Sequence, residues 1–185
     1  VDGKIYPVRF DFRTGLRIFQ AWEDEDLTEE EKAGITLGNV YLTTPDNEQA
    51  AFEQAVKFLN CGKELHVDEG KRTPERLYSL VQDADLIYSA FHQTHGIDLE
   101  AAEMHWWKFW ALLMDLGNET RFCQVIATRY AVSHGQATDW QKKDYLEHPE
   151  VYKLSQPDTS TPDEKEKKAL FEKLLAEGRA KRHGK

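Results

Sequence analysis

Residues 96–117 run Gly96-Ile97-Asp98-Leu99-Glu100-Ala101-Ala102-Glu103-Met104-His105-Trp106-Trp107-Lys108-Phe109-Trp110-Ala111-Leu112-Leu113-Met114-Asp115-Leu116-Gly117. Gly96 suits the end of one helix, Asp98 the N-cap of the next, and Gly117 its C-terminal stop. Between them Leu99, Ala102, Trp106, Phe109, Trp110, Leu113 and Leu116 recur at steps of three and four, one face of an α-helix. Met104, Trp107, Ala111 and Met114 make a second apolar row, leaving a narrow lane of His105, Lys108 and Asp115 with Leu112 among them. A helix apolar around most of its circumference belongs inside a core. Four charges at Glu100, Glu103, Lys108 and Asp115 make it unfit to span a bilayer. The pattern predicts a mainly α fold around one central buried helix, with Trp106, Phe109, Trp110, Leu113 and Leu116 in the core.

Outward from that helix, composition sets the bounds. A chain of 185 residues, 40% hydrophobic and 31% charged, fits one domain with appendages. Its formal net charge of -9 argues against general affinity for nucleic acid or anionic lipid, which needs clustered Lys and Arg. Acids crowd residues 23–31, where a solvated face is the ordinary reading and steering of a basic partner the functional one. Arg179, Lys181, Arg182 and Lys185 reverse the sign at the C-terminus. Cys61 and Cys123 form no disulfide framework and suit a reducing compartment as small buried hydrophobes. No secretory-signal pattern, transmembrane run or internal repeat is visible.

Taken in order, Asp2-Gly3 before Lys4-Ile5-Tyr6-Pro7-Val8 signals a hairpin turn, with residues 4–9 as a strand and Pro7 favouring an edge. Only Val1 stands before that turn, and no initiator Met, so a missing upstream segment is expected. Asp11 or Thr14 caps a helix to about residue 24, and Thr28-Glu29-Glu30-Glu31 reads as a capping box for a short helix ending before Gly38. Pro45-Asp46 opens a third helix that Gly62 ends; residues 62–72 read as a loop. Thr73-Pro74 starts a fourth, through Leu77, Leu80, Val81, Ala84, Tyr88 and Phe91. Beyond the central helix, Thr120 starts another, and Asp139 to His148 forms a polar one stopped by Pro149. The expected organisation is a helical core with an N-terminal β element over 1–150, a linker over 151–161, and a helical arm with a basic end over 162–185.

Several runs carry a family resemblance. They are Val1–Val8 with Asp11-Phe12-Arg13, Tyr88-Ser89-Ala90-Phe91, Gly96–Leu99, Met104-His105-Trp106-Trp107-Lys108-Phe109, and Phe122-Cys123-Gln124-Val125-Ile126 with Arg129. Over roughly residues 1–135 they resemble the gene-product-fifteen family of tailed phages. The resemblance implies a tail assembly chaperone that holds the tape-measure protein or tail tube subunits in the host cytoplasm until the tail polymerises. It implies no catalytic residues and no cofactor. Gene position and analogy carry that role.

Catalysis finds little support in the residues. His92 and His95 stand one turn apart with His105 ten residues on, but no carboxylate or Cys-x-x-Cys at ligand spacing joins them. Histidines at a helix end are favoured there by the dipole. His105 reads as a partly buried imidazole bonded to backbone or to an acceptor near Asp98. Asp83 and Asp85 do not face each other on a helix, so they make a poor acid/base pair. No nucleophile elbow or phosphate-binding glycine loop is present. Neither metal nor cofactor is expected.

A binding protein remains, with partner contact assigned to Met104, Trp107 and Met114 on the second row and to Leu170, Phe171, Leu174 and Leu175 on the arm. Trp107 lies about 100° around the helix from Trp106 and suits either core or partner face. The arm, residues 162–178 hinged at Ser155–Thr161, serves as an exchangeable lid or as a means of self-association. Two other functions fit the sequence: a structural tail or neck component of the virion, and a small nucleic-acid-handling protein using the basic C-terminus.

Overall fold

A computed structural model describes residues 1–63 and 75–154. Over these the protein is mainly helical: α1 (Phe12–Glu23), α2 (Glu29–Val40), α3 (Glu48–Leu59), α4 (Ala84–His95), α5 (Trp106–Met114), α6 (Arg121–Ser133), α7 (Asp139–Glu147) and α8 (Pro149–Tyr152). Most starts follow from side chains that accept the unpaired N–H groups of a first turn. Asp11 accepts from Arg13 N, Asn47 from Ala50 N and Thr120 from Cys123 N. Thr28 with Glu31, and Thr138 with Gln141, close reciprocal capping boxes. Pro149 ends α7 and also opens α8 at its first turn. The stop expected before Gly38 does not occur, because α2 continues to Val40.

The N-terminal hairpin is not formed, although its turn is. Asp2 and Gly3 adopt φ values of +49° and +74°, and Val1 and Lys4 exchange both backbone bonds at 2.9 and 3.0 Å. Residues 4–9 then make no strand. A single antiparallel bridge joins Val8 to Tyr41, with Arg9 N donating to Val40 O (2.8 Å) and Leu42 N to Pro7 O (3.1 Å). The N-terminal stretch thus satisfies its backbone against the end of α2. Arg9 reinforces this by donating to the carbonyls of Gly38, Asn39 and Tyr41.

The central helix is shorter than the periodicity predicts, beginning at Trp106 instead of after Asp98. Asp98 closes one isolated turn, accepting from Glu100 N and, through its carbonyl, from Ala102 N, each at 2.9 Å. The Arg13 guanidinium holds that turn by donating to Leu99 O (2.8 Å), Glu100 O (2.9 Å) and Ala102 O (2.9 Å). Residues 104–106 then pair with 10–12, Phe12 N donating to Met104 O (2.9 Å) and Trp106 N to Phe10 O (2.7 Å). These long-range bonds claim backbone groups that a continuous helix would use. Nor is α5 buried all round: Trp106, Phe109 and Leu113 are buried, while Trp107, Lys108, Ala111 and Met114 face solvent.

Phe109 is the hub of the core. Its ring stacks on Phe12 and Phe91, centroids 5.1 Å away in each case, and on Trp106 at 5.6 Å. Leu116 is buried and Trp110 half-buried against Trp106 and Phe19. α1 approaches Trp106 so closely that a Cβ on Gly15 would sit 2.3 Å from the indole, so only glycine fits there.

The helix expected from Thr73 starts at Ala84; Thr73 and Pro74 themselves lie outside the described residues. Asp83 is drawn away from a capping role into a buried ion pair. Arg129 of α6 meets it bidentately at 2.7 and 2.8 Å, the two side chains being 6% and 3% exposed. Arg129 also donates to the carbonyls of Leu77, Val151 and Tyr152, so all five of its N–H groups are used. Through these bonds Arg129 holds the backbone of α8, where Val151 is half-buried and Tyr152 is 1% exposed. The arm and the expected linker beyond Leu154 lie outside the described residues.

Candidate functional site

Aromatic rings converge at the surface where α5 begins, two of them well exposed. His105 is the N-cap of α5, its Nδ1 accepting the Trp107 N–H at 3.0 Å. Its ring stacks on Phe10 (5.5 Å, 13° between planes) and meets Trp107 edge-on at 5.4 Å. Phe58, near the end of α3, contacts both His105 (5.9 Å) and Trp107 (6.0 Å). Phe10 is 58% and Trp107 44% exposed, so four touching rings present a continuous aromatic surface.

Adjacent tryptophans build one side of it by the same chemistry. Trp106 Nε1 donates to Leu59 O and Trp107 Nε1 to Phe58 O, both at 2.8 Å. These carbonyls belong to the last turn of α3, which leaves acceptors without helical partners. The Trp-Trp pair therefore caps α3 from outside, one indole buried and the other at the surface. The chain turns there through Cys61 (φ +56°) and Gly62 (φ +79°), bringing Gly62 beneath the Trp107 ring, where a Cβ would lie 3.2 Å from it. Burial pushes the Cys61 thiol up from its ordinary range, away from the thiolate that nucleophilic chemistry needs.

Of the partner residues expected from sequence, Trp107 and Met114 (58% exposed) lie along the outer face of α5. Met104 does not join them. It is 6% exposed and belongs to the extended segment paired with Phe12, because α5 starts two residues after it. Leu170, Phe171, Leu174 and Leu175 lie outside the described residues. Nothing in the sequence pattern gathers Phe10, His105 and Phe58 on one surface, and Phe10 meets His105 through a bridge between Asp11 and His105 that no local pattern announces.

His92, His95 and His105 do not converge. His95 Nε2 lies 3.0 Å from Leu112 O, His92 faces solvent, and His105 caps α5. Among the described residues no three His, Cys, Asp or Glu side chains are grouped to hold a metal ion, and no helix is long and apolar enough to cross a membrane. What the arrangement offers chemically is apolar and aromatic contact.

A family model described as Bacteriophage Gp15 protein matches residues 1–154. No curated protein and no solved structure matches the chain.

Proposed function

The chain belongs to the Bacteriophage Gp15 protein family, and from that premise we propose that it is a tail assembly chaperone acting by contact, without catalysis. It binds the tape-measure protein or tail tube subunits in the host cytoplasm and is absent from the finished particle. The observation that supports this reading is the aromatic surface of Phe10, His105, Phe58 and Trp107, continued along α5 by Met114. Trp107 is exposed yet fixed by its bond to Phe58 O, so a client meets an aromatic anchor already held in place. Met114 supplies an adaptable thioether for clients of varied sequence.

The test is co-purification of tape-measure and tube fragments with the intact chain and with a Phe10→Ser, Met114→Ser variant. Both side chains are largely exposed, so the variant is expected to keep its helical circular dichroism and lose the client. Retention of the client by a folded variant refutes the assignment of this surface. Stoichiometric recovery of the chain in purified virions refutes the chaperone role in favour of a structural one.

A further inference from the structure

We infer that the groove between α2 and α3 is a docking site for a helix of a partner protein, one bearing an apolar stripe flanked by lysine or arginine. The inference stands apart from the aromatic surface and does not depend on the chaperone reading. The groove has a volume of about 670 Å³, with Leu37 and Phe52 on its floor and Glu29, Glu30 and Glu48 on its rim.

Its depth comes from two glycines. Gly34 and Gly38 lie one turn apart on α2, and a Cβ at either would meet nothing within 4 Å. Neither has a positive φ, so neither crowding nor backbone conformation requires glycine. Gly15, pressed against Trp106, shows what such a requirement looks like. Each glycine weakens a helix by about 1 kcal/mol relative to alanine. What the two achieve together is a bare strip of helix backbone beside an apolar floor, open to close approach by another backbone.

Charge selects the occupant. No lysine or arginine lines the groove, and Glu30 and Glu48 have no ion pair among the described residues; Glu29 is paired only with Lys32, at 3.3 Å. A second copy of this chain would bring the same carboxylates against these, with both copies carrying a net charge of -9. A basic, amphipathic helix satisfies both floor and rim. The twelve residues of α2 extend about 18 Å, which sets the occupant at three to four turns.

The experiment uses the full chain and two labelled helical peptides of about 14 residues. They share one alanine/leucine stripe, flanked by lysine in the first and by glutamate in the second. Fluorescence anisotropy at low salt is expected to show at least about tenfold tighter binding of the lysine peptide, with amide shifts at Gly34 and Gly38. Glu30→Lys with Glu48→Lys should reverse the preference. Gly34→Leu with Gly38→Leu should abolish binding while leaving the unfolding midpoint unchanged or higher; if that pair lowers the midpoint, Gly34→Ala with Gly38→Ala replaces it. Equal binding of both peptides, or binding that persists with the groove filled, overturns the proposal. So does a dimer in sedimentation that the leucine substitutions dissolve, since the groove would then belong to a second copy.

Discussion

Arg129→Ala removes five hydrogen bonds and strands what they held. Among the described residues the Asp83 carboxylate, 3% exposed, keeps only the Ser79 N–H at 3.0 Å, and the carbonyls of Leu77, Val151 and Tyr152 lose a donor. Breaking a buried pair from one side costs about 3–5 kcal/mol, because the remaining charge is left uncompensated. Against a total stability of about 5–15 kcal/mol that is a large fraction. With a urea slope of about 2 kcal/mol/M, the midpoint should fall by about 2 M, monitored by far-ultraviolet circular dichroism. The loss should be global, since Arg129 joins the 77–83 segment, α6 and α8 at one point. Arg129→Met with Asp83→Leu removes both charges and should recover most of the loss. A midpoint shift under about 0.3 M for Arg129→Ala refutes the reasoning. So does a double variant as weak as the single one.

Trp106→Ala should cost about 3–5 kcal/mol in chemical denaturation, a loss below about 1 kcal/mol being incompatible with its place against Gly15 and Phe109. His105→Ala should lose about 1 kcal/mol through the missing cap of α5, and His105→Asn should restore most of it; equal stability of all three chains would remove the capping role. Stability should also decline at alkaline pH. Burial raises the tyrosines Tyr41 and Tyr78 above their ordinary value, and Tyr41 donates its hydroxyl to Ala51 O at 2.9 Å. The folded chain therefore keeps those protons where the unfolded chain has lost them, so the contribution is full below about pH 10 and shrinks as pH rises through the folded values. Thermal melting from pH 8 to 11 should show this fall, and an absorbance titration in which all seven tyrosines ionise together would contradict it.

The helix starts legible in the sequence are those that local chemistry alone sets. Asp11, Thr28 and Thr120 each bond within their own first turn, and the Asp2-Gly3 turn is closed by Val1 and Lys4 alone. The misplaced boundaries have distant causes. Residues 98–105 carry good helix formers, but Arg13 and the 10–12 segment capture their backbone groups. Asp83 would serve as a helix residue in any local window; its partner is 46 positions away. The candidate surface is legible to the same degree. Trp107 and Met114 stand out by their spacing, whereas Phe10 and His105 meet only through the bridge, and Met104 changes sides once the helix start moves.

Pairing the 10–12 segment with residues 104–106 also sets an order of events during synthesis. Arg13 finds its acceptor at Ala102 across 89 positions, so the N-terminal helix cannot take its final place until most of the described chain has left the ribosome. At about 5–20 residues per second, that delay is on the order of 10 s. During it α1 and α2 can meet, but Gly15 faces an empty slot and Phe12 lacks its stacking partner Phe109. A nascent chain arrested before Trp106 displays that unfinished core to every other chain nearby, and the cell has that interval in which a holding factor can act on it.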